Sequence, residues 1–131
     1  MKLSHHLHGI LGAALLTASL TFPAFAMEAV KSGAFEGGSG HSTAGAVSII
    51  EKDGKYLIHL GDDFVQDGTA PDATVALGQD GYDETTNLGK LRSFTGAQDY
   101  ELPAGIDPAK FNEVYIWCKK FSVPLGVASI K

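Results

Sequence analysis

The residues best suited to redox chemistry lie near the C-terminus, where the only cysteine, Cys118, directly follows the only tryptophan, Trp117. If this segment is a β-strand, its side chains alternate, and Val114, Ile116 and Cys118 share one face. Cys118 then has two interpretations. A buried cysteine acts as a small apolar core residue. A reactive one forms a mixed disulfide, cycles through a sulfenic acid or binds a metal as thiolate.

The two residues after the cysteine are both cationic, Lys119 and Lys120. If the strand continues, Lys120 lies on the same side as Cys118, and its charge favours the thiolate. The alternative is that both lysines are solvated or protect the edge of a sheet.

A metal site is a second hypothesis. His41 and His59 could join Cys118 in a three-ligand copper or haem-iron site. The alternative is an exposed loop histidine and an ordinary strand histidine. The segment after Cys118 contains neither the histidine nor the methionine of a blue-copper site, and the C-x-x-C-H motif of covalent haem attachment is absent.

Other chemistry finds little support in the sequence. The motifs G-x-S-x-G and H-E-x-x-H of hydrolases are missing. Aspartates cluster in "GDDFVQDGTAPDA" and "GQDGYDE", where they could bind calcium or simply form turns, and neither run fits an EF-hand. No hydrolase active site is therefore recognisable in the sequence.

The N-terminus has the pattern of a secretory signal peptide. A basic start, "MKLSHHLHG", precedes the apolar run "ILGAALLTASLTF", and "PAFA" supplies the small residues that signal peptidase accepts. We predict a signal peptide over residues 1–26 and a mature chain of residues 27–131. The protein is thus expected to be exported, to the periplasm or the medium.

The composition of the mature chain limits its partners. Nine basic and fifteen acidic side chains give it a net charge of −6. Such a charge disfavours nucleic-acid binding. A single cysteine forms no internal disulfide, and no second apolar segment is long enough to span a membrane. We expect one domain over residues 27–131 that does not cross a membrane.

Short β-rich segments separated by glycine and aspartate predict a small antiparallel β-sandwich of roughly seven to nine strands. Asp53-Gly54 predicts a hairpin turn. One short helical turn is expected where Asp107 precedes Pro108. The predicted strands are "GAVSIIE", "YLIHL", "ATVALG", "KLRSF", "QDYEL", "EVYIWCK" and "VPLGVASI".

Five segments of the mature sequence occur together and in order: "SGAFEGGSGHSTAGAVSI", "FVQDGTAPDA", "LGKL", "YELPAGID" and "VYIWCKKFSVPLGVASI". With these segments the chain resembles the DM-thirteen domain family, also called the electron-transfer DM domain. The resemblance implies an extracytoplasmic all-β module with a redox role centred on the cysteine that is Cys118 here. It also makes an electron-transfer or binding module a better fit than a stand-alone enzyme.

Two functional hypotheses follow. In the first, the protein is an electron-transfer accessory module that acts through Cys118 with a separate redox or membrane-associated protein partner. In the second, it is a binding or structural domain whose cysteine is inert in the core. The sequence identifies no cofactor for either.

Overall fold

The computed structural model describes residues 12–19 and 28–131, and residues 12–19 form neither helix nor strand. The cleavage predicted after Ala26 lies outside the described residues, as does most of the predicted signal peptide. Within the described ranges, no helix combines the length and apolar character needed to cross a membrane.

The described residues form an all-β, antiparallel fold, which confirms the predicted fold class. Two 3₁₀ turns interrupt the strands. The turn at Pro108–Lys110 has the predicted Asp107 cap, whereas the sequence analysis does not predict the turn at Glu84–Thr86. The strands are β1 (Ala29–Gly37), β2 (Thr43–Ala44), β3 (Ala46–Lys52), β4 (Lys55–Leu60), β5 (Val65–Gln66), β6 (Ala73–Gly78), β7 (Gln98–Glu101), β8 (Glu113–Cys118) and β9 (Val123–Ser129).

Seven strands form one antiparallel sheet in the order β6-β8-β9-β1-β3-β4-β7, and β2 pairs with β5. The middle strand, β1, serves both halves of the sheet. Its first part, Ala29 to Ala34, pairs with β3, and its last part, Phe35 to Gly37, pairs with β9. The glycine-rich stretch that begins the matched region is therefore central to the sheet.

The β3–β4 hairpin turns where the sequence predicts. Asp53 and Gly54 have positive φ angles of 51° and 76°. This conformation suits the twist of a two-residue hairpin and is accessible to aspartate and glycine. The turn sets a register in which Ile49 faces Ile58 across the pair, so both side chains are buried.

The predicted strand "KLRSF", residues 90–94, is wrong, because this part of the chain connects the sheet's edges. Leu88 and Leu91 donate backbone hydrogen bonds to β6, and the Phe94 carbonyl accepts one from Gln66 in β5. Beyond it the chain enters β7 at the opposite edge of the sheet. A segment that changes partner every few residues satisfies its hydrogen bonds without becoming a strand.

The core lies between the two halves of the bent sheet and contains no unpartnered buried side-chain polar atom among the described residues. Apart from Phe64, which precedes β5, its largest side chains alternate along the strands, as period-two patterning requires. They are Phe64, Ile49, Ile58, Leu60, Leu77, Ile116, Leu125, Val47, Val75 and Val114.

A glycine in β1 tests how closely the two halves must approach. A Cβ atom on Gly33 would overlap the main-chain carbonyl of Ser129, whereas one on Gly105 would meet no atom within 4 Å. We expect Gly33→Ala to lower the free energy of unfolding by about 3 kcal/mol, as measured by urea denaturation. Gly105→Ala is the matched control and should be close to neutral. Equal effects of the two variants would contradict this packing.

Candidate functional site

Cys118 ends β8 and points into the core. It is 1% exposed and belongs to the main apolar cluster, as do Val114 and Ile116 on the same face. Its backbone pairs with Ala73 on one side and Val123 on the other. The predicted alternation along β8 is confirmed. The thiol can therefore meet a reagent only if this end of the sheet opens.

The two lysines after Cys118 do not continue its strand. β8 ends at Cys118, and residues 119–122 form an exposed turn that leads into β9. The ammonium of Lys120 lies 5.5 Å from the ring centre of Phe121. The strand geometry that would place Lys120 beside the thiol is thus absent.

Three aromatic side chains are in mutual contact on the outer face of β8. Tyr115 and Trp117 belong to β8, and Tyr82 comes from the loop that follows β6. We call these three residues the aromatic trio. Tyr82 and Trp117 stack with ring centres 3.8 Å apart and planes 5° apart. Tyr115 meets both edge-on, with centres 5.9 Å from Tyr82 and 6.0 Å from Trp117. Tyr115 is 7% exposed, while the other two are half-buried.

The hydroxyl of Tyr115 has a carboxylate partner. It donates a hydrogen bond of 3.1 Å to Oε1 of Glu113, which also accepts one of 2.7 Å from the backbone N–H of Gly81. Burial, followed by repulsion from the Glu113 carboxylate, raises the pKa of Tyr115 to about 12. The phenol is consequently protonated at neutral pH.

The two histidines of the mature chain each lie beside a different aspartate. His59 Nδ1 lies 2.6 Å from Asp99 Oδ1 across the β4–β7 pair. His41 Nδ1 lies 3.3 Å from Asp67 Oδ1 and 2.8 Å from Thr69 Oγ1. Within residues 12–19 and 28–131, no three His, Cys, Asp or Glu side chains form a group that could hold a metal ion. The structure therefore does not bring His41, His59 and Cys118 together.

Asp67 organises the loops around His41. Its carboxylate accepts hydrogen bonds from the backbone N–H of Thr69 at 3.0 Å, that of Ser42 at 2.8 Å and the Thr69 hydroxyl at 2.8 Å. These donors, the Thr69 N–H first, hold the pKa of Asp67 well below its usual range. One carboxylate thus ties the glycine-rich turn to the "QDGT" turn.

This network borders an open cleft of about 650 Å³ beneath the glycine-rich turn, lined by Gly37 to Ala44, Val65 and Asp67. His41 Nδ1 lies 2.8 Å from the Thr69 hydroxyl, and that hydroxyl donates to Asp67. These contacts orient the His41 ring at the edge of the cleft.

Comparison with known families gives the chain's relationship. A family model described as "Electron transfer DM13" matches residues 34–130. The chain belongs to the electron transfer DM13 family. This match confirms the resemblance inferred from the sequence segments. No match was found among curated proteins or among solved structures.

Two features escaped sequence reasoning because they depend on contacts between distant segments. The segment "GQDGYDE" predicts an acidic turn, yet its Tyr82 packs on Trp117, 35 residues further along the chain. The segment "GDDFVQDGTAPDA" predicts a turn at Asp67, yet the Asp67 carboxylate also contacts His41, which lies in a different family segment. For Asp67 and His41, the sequence indicates only that each lies in a segment typical of the family. Tyr82 lies in none of those segments.

The low pKa of Asp67 predicts acid sensitivity. A depressed folded-state pKa contributes stability that is present above the unfolded value, near 4, and is lost as pH falls below it. We expect Asp67→Asn to lower the melting temperature at pH 7 and this difference to shrink below about pH 4. Asp62→Asn, an exposed aspartate outside the network, is the control. A difference independent of pH would contradict the prediction.

The burial of Cys118 predicts a graded cost of substitution. Cys118→Ala should lower the free energy of unfolding by about 1 kcal/mol or more, because it leaves a small cavity. Cys118→Ser should cost more, because it places a hydroxyl in an apolar cluster. Thermal and urea denaturation measure both. Two variants as stable as the parent would show that the side chain is not packed in this way.

Proposed function

We propose that this protein is an exported electron-transfer accessory domain that works with a separate protein partner. The observation that carries the proposal is the family match over residues 34–130, which spans nearly all of the described β domain. The partner is a redox protein that is either dissolved in the periplasm or the medium or associated with the membrane. Export to the periplasm or the medium is supported by the N-terminal sequence pattern.

Cys118 is the proposed redox residue, and thiol–disulfide exchange is the reaction that a lone thiol performs without a cofactor. The Cys118 thiolate attacks a disulfide of the partner. A new bond forms between Cys118 Sγ and one partner sulfur, the partner's S–S bond breaks, and the thiol proton ends on the departing sulfur. Cys118 is oxidised in the mixed disulfide, and the released sulfur is reduced.

Access to the buried thiol requires local opening, and its position favours such an event. Cys118 is the last residue of β8, directly before the exposed turn of residues 119–122. Turns and strand ends open at lower free energy than central strands. Opening this hairpin end would expose the sulfur while β1, β3 and β4 stay paired.

The second candidate is a binding or structural domain with an inert cysteine. It is favoured by the 1% exposure of Cys118 within the main apolar cluster. The two candidates differ in what they require of the native protein. The redox proposal needs the thiol to react by local opening, whereas the inert-cysteine alternative allows reaction only after global unfolding.

Glutathione disulfide is a suitable probe, because it forms a mass-detectable adduct by the proposed reaction. We expect the native protein to gain one glutathionyl group, and Cys118→Ala and Cys118→Ser to gain none. The adduct should form faster than the protein unfolds, with the unfolding rate measured separately by circular dichroism in the same buffer. This comparison separates local opening from global unfolding.

An adduct that forms only at the global unfolding rate would overturn the role of Cys118 and support the inert-cysteine alternative. The thiol content of fully denatured protein is the control for sulfur that was already oxidised. If that control shows one free thiol and the native protein still resists glutathione disulfide, Cys118 is a packing residue.

Export is tested by the mass of the mature protein. We expect expression of the full chain in a bacterial host to give exported protein that begins at Met27. Intact-mass measurement checks this, and replacing the small residues Ala24 and Ala26 with bulky ones should block processing. Exported protein that retains residues 1–26 would contradict the cleavage prediction.

A further inference from the structure

The aromatic trio contains three oxidisable side chains in contact, and it lies on the face of β8 opposite Cys118. Tyr82 and Trp117 are half-buried, so they are reachable from solvent, and their stacked rings share one contact surface. Tyr115 is 7% exposed and lies edge-on to both. The trio therefore connects two solvent-accessible rings with the buried phenol of Tyr115. Electron transfer between rings in contact does not require the sheet to open.

A shielded tyrosine can lose an electron readily only if its proton has an acceptor, because the oxidised phenol is a strong acid. Tyr115 has that acceptor in place, since its hydroxyl donates to Oε1 of Glu113 at 3.1 Å. The same oxygen is held by the backbone N–H of Gly81 at 2.7 Å. Tyr115 is a neutral phenol at pH 7, so its oxidation must transfer the proton together with the electron.

We propose that the aromatic trio and Glu113 form a one-electron relay in which the Trp117–Tyr82 stack is oxidised first and Tyr115 holds the resulting radical. The oxidant is a high-potential one-electron acceptor, such as a ferryl iron centre generated by peroxide. Trp117 gives one electron to it and becomes a radical cation. Tyr115 then returns one electron to Trp117 and passes its phenolic proton to Glu113, which leaves a neutral tyrosyl radical and a protonated carboxyl group.

The relay goes beyond the proposed function and shares with it only the electron-transfer assignment of the family. It does not involve Cys118, whose side chain lies in the core on the other side of β8. Two other tyrosines lie outside the trio. Tyr100 sits under the Arg92 guanidinium, 4.4 Å from its ring centre, where the cation disfavours oxidation of the ring. Tyr56 lies in β4 and is partly buried.

Flash photolysis tests the relay, with ruthenium tris-bipyridine as the photo-oxidant and persulfate as the sacrificial electron acceptor. Transient absorption distinguishes the tryptophanyl radical from the tyrosyl radical. In the parent protein we expect the tryptophan signal to convert into a tyrosyl signal. Tyr56→Phe, the matched control, should behave in the same way. Tyr115→Phe should lose most of the tyrosyl signal and prolong the tryptophan signal.

Glu113→Gln tests the proton acceptor. It keeps an oxygen that can accept from the Gly81 N–H but removes the basic carboxylate. We expect conversion to slow by about tenfold, comparable to the loss of one charge-assisted hydrogen bond. Circular dichroism checks that each variant is folded. Should Glu113→Gln fail to fold, the comparison of Tyr115→Phe with Tyr56→Phe decides alone.

An unchanged tyrosyl yield in folded Tyr115→Phe, or an unchanged conversion rate in folded Glu113→Gln, would overturn the relay. Repeating the measurement in Cys118→Ala separates the two proposals, because conversion should be unaffected there. Absence of conversion in a protein that forms the glutathione adduct would overturn the relay alone. Conversion in a protein that never forms the adduct would overturn the role of Cys118 alone.

Discussion

The two-sided pairing of β1 is the constraint on which the rest of the structure depends. Its N-terminal part is hydrogen-bonded to β3 and its C-terminal part to β9. Ser32 and Lys131 also exchange backbone hydrogen bonds, which attach the chain's last residue to the middle of the sheet. Because a buried backbone group without a partner is costly, this pairing fixes β9, and through it β8 and β6, against the β3–β4 hairpin.

β8 places the two proposed redox sites on opposite faces of one strand. Its inner face places Cys118 in an apolar cluster, where atoms must move before the sulfur can bond to another sulfur. Its outer face supports the aromatic trio and the carboxylate of Glu113. Exchange of a disulfide at Cys118 needs opening of the sheet, whereas loss of an electron from the trio needs none. The two chemistries can therefore be studied independently in one small domain.

The Asp67 carboxylate holds together a second region of the domain, the turns around His41. Asp67 joins two turns that are distant in sequence, and its hydrogen bonds keep the carboxylate ionised over the ordinary pH range. The ionised carboxylate orients Thr69, and Thr69 orients the ring of His41. An open cleft with an oriented histidine results.

The sequence by itself determined the fold class, the β3–β4 turn, the Asp107 cap and the alternation of β8. These depend on neighbouring residues: apolar side chains at every second position, Asp53-Gly54 with positive φ, and a capping aspartate before Pro108. The family segments also identified the relationship. The turn, the cap and the alternation each depend on residues that are close together in the sequence.

Tertiary structure alone decided which distant groups meet. Residues 90–94 look like a strand but divide their hydrogen bonds between β6 and β5, a choice set by where those edges lie. Lys120 does not lie beside Cys118, because β8 ends at Cys118 and a turn follows. Tyr82 contacts Trp117 because β6, which precedes Tyr82, pairs with β8. Pairing between strands determines these contacts, and this pairing cannot be inferred from the spacing of residues along the chain.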